Sequence, residues 1–295
     1  MEYKRSEDGG ITWSEPYILE YSKHIYEIGR KEGKKYAVMC EKAVSPEDNL
    51  IVLFNLECDY TNGWHPHRIP TYLISKDGGY KWSEPKLLGD KPGRIYDALY
   101  HNGCIFVLEF CNDTARTFYG SLPEHTYLLY VSTDNGETFT LRSVLPFDTK
   151  GRAYGTMEIL TDGSLIVYVY TINDEYHLDY VISKDMGYTW SKVNTSFFEK
   201  KIRNPQMTAF KNGFILHGRS GCYGDENGHF VLYTSKDGIN WDSGIYLCRK
   251  KAGLGAYSNN VVVHSPETGK EVGVIIQASY AYEDHKTNIL HWYLE

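Results

Sequence analysis

The chain has 295 residues, a formal net charge of −7 and 15% aromatic residues, with 26 tyrosines. The acidic balance offers no field for nucleic acid or an anionic membrane, and no run approaches the ~18 apolar residues of a membrane-spanning helix. The opening MEYKRSEDGG lacks the apolar core of a signal peptide, so a cytoplasmic protein is expected unless a leader has been removed.

One phrase recurs along the chain. It stands as SEDGGITWSEP at Ser6–Pro16, SKDGGYKWSEP at Ser75–Pro85, STDNGETFT at Ser132–Thr140, SKDMGYTWSK at Ser183–Lys192 and, one residue shorter, SKDGINW at Ser235–Trp241. Asp and Gly suit a tight turn, the Ser hydroxyl can cap it, and the Trp or Phe anchors the returning strand. The phrase therefore reads as a hairpin turn used five times, at Ser-to-Ser spacings of 69, 57, 51 and 52 residues. Blade-sized repeats of this kind signal a propeller.

In chain order, Met1–Arg5 and Trp13–Leu19 flank the first phrase as one hairpin. The second repeat has a turn at Ser45–Asn49 and a strand at Leu50–Leu56. The third has strands at Tyr96–Tyr100, Cys104–Phe110 and Tyr127–Val131. The fourth has Tyr154–Leu160 and Leu165–Tyr170, and the fifth Gln206–Phe210 and Phe214–His217. Residues 257–295 carry three strands and no turn phrase: Asn260–His264, Val272–Ser279 and Asn288–Leu294. That gives four full blades and two partial ones, whose strands could combine into one.

The phrase has the S-x-D-x-G-x-T-W form of the Asp-box, and the chain resembles the sialidase (neuraminidase) superfamily of Asp-box β-propellers over nearly its whole length. The resemblance implies an all-β, six-bladed β-propeller forming a single domain over 1–295, with its first blade incomplete. It also implies a glycoside hydrolase acting on an anionic glycan. The string Gly255-Ala256-Tyr257-Ser258 resembles the family segment that carries a nucleophilic tyrosine, which makes Tyr257 the candidate nucleophile. A neutral phenol avoids repelling a substrate carboxylate, but needs a nearby carboxylate to take its proton. The family places a Glu where Tyr154 stands here; Glu158, four residues on, is the candidate partner. Arg219, in HGRSG, resembles one member of the family's arginine triad.

Alignment of strand starts and ends across the repeats puts Arg94, Arg152, Arg203 and Arg219 at one mouth, with Asp97 and Tyr154 among the same positions. Guanidinium forks suit a carboxylate; the other reading is that these arginines bridge neighbouring blades through carboxylates such as Asp97. The acid could be Asp59, Asp97 or Asp113. Two further readings stay open: a non-catalytic glycan-binding propeller, or another Asp-box carbohydrate enzyme such as a uronate-directed hydrolase or lyase. The six cysteines, Cys40, Cys58, Cys104, Cys111, Cys222 and Cys248, form no CxxC pair and read as buried free thiols. His65 and His67 flank Pro66 in an aromatic loop suited to packing or sugar stacking. No metal, cofactor, nucleic-acid partner or membrane is expected; the expected partner is a glycan substrate.

Overall fold

The computed structural model describes residues 1–62, 68–111, 125–221, 228–249, 257–265, 267–283 and 286–295. The chain divides into two compact units, Met1–Lys150 and Gly151–Glu295. The first opens with β1 (Glu2–Tyr3) and β2 (Tyr17–Ile18), a two-stranded hairpin, followed by helix α1 (Glu20–Glu32). Two sheets follow: β3 (Tyr36–Glu47), β4 (Leu50–Asp59), β5 (Thr71–Ser75) and β6 (Lys86–Leu87), then β7 (Gly93–His101), β8 (Cys104–Cys111), β9 (Thr126–Ser132) and β10 (Thr140–Val144).

The second unit holds three sheets. They are β11 (Arg152–Ile159), β12 (Leu165–Thr171), β13 (His177–Ser183) and β14 (Asn194–Phe197); β15 (Arg203–Phe210), β16 (Gly213–Ser220), β17 (His229–Ser235) and β18 (Ile245–Cys248); and β19 (Ser258–His264), β20 (Glu271–Glu283) and β21 (Lys286–Leu294). All are antiparallel and paired in sequence order, as in propeller blades. The count corrects the sixfold expectation: among the described residues there are five blade sheets, and the N-terminal segment contributes only the β1–β2 hairpin.

The expected turn phrase closes all five hairpins in one way. The Gly amide donates to the Ser Oγ at 2.7 to 2.9 Å. The Ser Oγ donates to the Asp carboxylate at 2.7 to 3.0 Å. The Asp in turn accepts amides of the returning strand, Thr138 N at 2.9 Å and Thr189 N at 2.8 Å among them. These bonds favour the ionised form. The Thr189 hydroxyl, then the Thr189 amide and Ser183 hydroxyl, hold Asp185 down at about 2. The glycines are required by shape as well as by φ. A Cβ at Gly136 would stand 2.6 Å from Val52, and one at Gly238 would stand 2.6 Å from Leu160, each on the neighbouring blade. The aromatic anchors behave as expected at Phe139, packed on Phe54 and Tyr72, and at Trp241, packed on Tyr168 and Phe198. Trp13 is the exception, at 44% exposed.

Helix α1 was not expected. Its Tyr21, Ile25 and Gly29 recur every four residues on the buried side, and Gly33 ends it in the left-handed region at φ 69°. Gly29 is needed because a Cβ there would lie 3.0 Å from Tyr36. Among the described residues no helix is long and apolar enough to cross a membrane. The described cysteines, Cys40, Cys58, Cys104, Cys111 and Cys248, are free thiols. Cys222, His65 and His67 lie outside the described residues.

One buried group works against the fold. Glu109, on β8, is fully buried and, among the described residues, neither carboxyl oxygen has a hydrogen-bond partner. Burial pushes its carboxyl up to about 8, with Lys91 and Asp90 pulling in opposite directions. The folded chain therefore holds this proton across a range where the unfolded chain, with a Glu of about 4.3, releases it. The resulting stability is complete below about pH 4.3 and declines as pH rises towards 8. Glu109→Gln removes the ionisable group, so its melting temperature gains on the parent as pH rises from 5 to 8; equal gains at both pH values would refute the assignment. Ser183→Ala leaves the buried Gly187 amide without its acceptor and costs about 1–3 kcal/mol in urea denaturation.

Candidate functional site

Within the second unit the first strands of the three blades pack in series, β11 on β15 and β15 on β19. Each of β11 and β15 is bulged near its leading end, between Arg152 and Gly155 and between Arg203 and Gln206. A bulge sets two residues against one and re-aims the side chains beside it. On β15 the extra residues are Asn204, at φ 51°, and Pro205. The opposing residue is Gly218, where a Cβ would meet the Arg203 carbonyl at 2.6 Å. That explains the first glycine of HGRSG.

These strand ends build one connected set of side chains. Arg203 and Arg219 are Cα partners across β15 and β16, so their side chains leave the same face. Both are buried. The Arg203 Nη2 donates to the Tyr170 hydroxyl at 2.9 Å, and its guanidinium carbon lies 5.1 Å from the Tyr170 ring centroid. Tyr170 stacks on Tyr154 at 5.8 Å, and the Tyr154 and Tyr257 hydroxyls are 2.9 Å apart. Tyr257 is 40% exposed, so the set runs from buried cations to a reachable phenol.

Tyr257 is held from behind. Its amide donates to Ser279 Oγ at 3.3 Å, and the Ser279 amide donates to its carbonyl at 2.9 Å. The next residue, Ser258, meets His217 Nδ1 at 3.0 Å, and the Asn260 amide nitrogen meets His217 Nε2 at 3.0 Å. An amide NH2 can only donate there, which leaves the imidazole proton on Nδ1, pointing at Ser258. His217 is fully buried and ties β16 to β19.

Like charges directly opposed across a ladder are destabilising. Part of the charge is met by Glu175, whose carboxylate lies 3.4 Å from Arg203. Glu175 sits in the β12–β13 connection, and Gly221 makes room for it: a Cβ there would stand 2.8 Å from its Oε2. Sequence reasoning missed Glu175, whose only signal was an acidic Asn173-Asp174-Glu175 run after a strand end. It also missed Asn204, a non-glycine residue in the left-handed region whose buried amide has no hydrogen-bond partner. Its signal was an Asn before Pro where the strand begins.

The other expected residues are placed differently. Arg152 donates from Nε at 3.0 Å and from Nη2 at 2.6 Å to Asp179 of its own blade. Glu158 is not beside Tyr257. It stands four residues, ~13 Å, beyond Tyr154 along β11, and its carboxylate accepts the Ala209 amide of β15 and the Ile159 amide, each at 2.8 Å. The bulge at Arg152–Gly155 breaks the two-residue count on which a shared face with Tyr154 relied. Among the described residues the hydroxyl partner of Tyr257 is Tyr154.

Arg94 and Asp97 belong to the first unit and bridge β7 to β3. Arg94 donates to Glu41 from Nε at 3.1 Å and from Nη2 at 2.7 Å, and Asp97 pairs with Lys42 at 2.9 Å. Asp59 accepts the Thr61 amide at 2.8 Å. Asp113, Gly255 and Ala256 lie outside the described residues. Among the described residues no cluster of three or more His, Cys, Asp or Glu is arranged to hold a metal.

No family model matches the chain, and no curated protein sequence matches it. Solved structures do match its fold. A protein of unknown function from Dyadobacter fermentans superposes with a TM-score of 0.69 at 16% identity, over 100% of this chain and 83% of that one. The intramolecular trans-sialidase of Ruminococcus gnavus, solved with oseltamivir carboxylate, gives 0.69 at 13%, over 99% and 87%. The α-L-arabinofuranosidase of Fusarium graminearum gives 0.55 at 17%, over 85% and 79%. The chain spans only 47% to 63% of other sialidase structures that it matches. At these identities the likeness is one of fold: an all-β propeller of a kind that glycoside hydrolases use.

Glu158→Ala strips the acceptor from the Ala209 amide. It costs about 1–3 kcal/mol in thermal or urea unfolding. A Glu158→Ala chain as stable as the parent would contradict the bridging role.

Proposed function

We propose that the second unit binds an anionic sugar and cleaves its glycosidic bond in the manner of a sialidase. The observation that carries this reading is the buried, directly opposed pair Arg203 and Arg219, joined through Tyr170 and Tyr154 to the exposed Tyr257. Two directly opposed guanidinium groups present forks of a shape that a sugar carboxylate can accept. The Tyr257 oxygen attacks the anomeric carbon as the glycosidic bond breaks, the phenol proton passes to the departing glycosidic oxygen so that it leaves as an alcohol, and water later displaces the tyrosine, returning its proton and releasing the sugar with retained configuration. The Tyr154 hydroxyl, 2.9 Å away, fixes the Tyr257 oxygen in place by a hydrogen bond. The likeness in fold to a trans-sialidase that binds a carboxylate inhibitor is consistent with this assignment.

One observation favours a second reading, a non-catalytic binder of acidic sugars. The hydroxyl partner of Tyr257 is another phenol rather than a carboxylate, and a phenol of pKa about 10 is a weak base.

The test is hydrolysis of a fluorogenic α-sialoside, with calorimetric binding of free sialic acid alongside. Under the catalytic reading the parent turns over, Tyr257→Phe loses at least a hundredfold in rate but still binds, and Arg219→Lys weakens binding about tenfold or more, as expected for the loss of a charged hydrogen bond. Binding without turnover in the parent moves the assignment to the second reading. Absence of both overturns the two together.

A further inference from the structure

The first unit carries a half-open cleft of about 910 Å3 between the β1–β2 hairpin and α1 on one side and the β3–β6 sheet on the other. Its walls include four aromatic rings, Tyr3, Tyr21, Tyr80 and Trp82, and three carboxylates, Glu20, Glu57 and Glu84, with Lys81 as the lysine among them. None of these residues belongs to the arginine–tyrosine set of the second unit.

The rings are fixed rather than loosely gathered. The Tyr3 hydroxyl donates to the Gly79 carbonyl at 2.8 Å and receives the Trp82 indole N–H at 3.2 Å. The Tyr21 hydroxyl donates to Glu57 Oε1 at 2.6 Å. Burial, and then this bond to Glu57, push the Tyr21 phenol well above its ordinary range, so it stays a neutral donor. Arg68 takes the other Glu57 oxygen at 3.2 Å. Glu57 is thus an oriented acceptor at the wall of the cleft, and Tyr80 remains 56% exposed beside it.

The chemistry of the lining narrows the ligand. An anion would meet the carboxylates of Glu20 and Glu84, and that of Glu57 already paired with Arg68. A wholly apolar ligand would strip water from those carboxylates without replacing its hydrogen bonds. A cation seeking an aromatic face finds Arg5 already seated 3.1 Å from the Tyr80 centroid. A neutral sugar suits this mixed lining: its C–H faces lie on the rings and on Ile25 and Leu73 while its hydroxyls donate to the carboxylates. The volume lies within the range of small-ligand sites. We propose that this cleft is a binding site for a neutral saccharide.

The intact chain is titrated with maltotriose, cellotriose and lactose, each followed by tryptophan fluorescence and calorimetry, with choline as the charged comparator. The expected result is saturable binding of at least one saccharide, weakened tenfold or more by Tyr80→Ala or by Glu57→Gln. Tyr80 is exposed, and the Gln amide oxygen can still accept from Tyr21, so both variants keep the fold. The proposal falls if no saccharide binds. It also falls if neither variant weakens binding tenfold, or if choline binds in place of the saccharides.

Discussion

A blade made as a sequential antiparallel ladder leaves one edge of its first strand unpaired, and those amides must be satisfied from outside the sheet. Much of this structure follows from how neighbouring blades supply the partners. On β15 the Met207 and Ala209 amides are taken by Thr156 Oγ1 at 2.9 Å and Glu158 Oε2 at 2.8 Å, two alternate residues of β11. In the first unit the seam between β3 and β7 is closed by ion pairs instead, Arg94 with Glu41 and Lys42 with Asp97. Charged side chains at blade seams are therefore structural first, and a carboxylate or guanidinium in a strand is a weak sign of chemistry until its seam partner is known.

The same constraint explains why the candidate site gathers where it does. Seam partners occupy the middle and far parts of β11 and β15, where the ladder is regular. Near the leading ends the bulges interrupt it and re-aim the side chains beside them. Tyr154 and Arg203 stand beside those bulges, and Tyr257 stands just before β19. His217, buried between Ser258 and Asn260, carries the seam one blade further and fixes the strand that follows Tyr257.

Strand identity was plain in the sequence wherever the repeat supplied a frame. Leu165–Tyr170 is β12 to within one residue, and Cys104–Phe110 is β8 to within one. What escaped was whatever departed from the repeat. Helix α1 has a stripe spaced by four and a glycine stop, yet it sits where blade spacing leads the eye to look for strands. Strand β3 is broken by bulges at Cys40–Lys42 and Val44–Glu47, which spoil its alternation. For the site, Tyr257, Arg203 and Arg219 were legible as residues. Their linkage through Tyr170 was not, because it joins strands of different blades. The seam bond of Glu158 was hidden for the same reason: nothing local says that a carboxylate on one strand answers an amide 51 residues away.

The turn phrase has a consequence for how such a chain comes into being. The bonds from the Gly amide to the Ser hydroxyl and from the Ser hydroxyl to the Asp carboxylate join residues a few positions apart, so each latch forms at short sequence separation, where closing a loop costs little entropy. Every outer hairpin can then assemble on its own before the long-range seams are made. A module that folds by local rules and attaches by a handful of edge bonds can be copied, shortened or dropped without rewriting its neighbours. The β1–β2 hairpin is closed by the same Ser6 and Asp8 bonds as the hairpins of the four-stranded sheets.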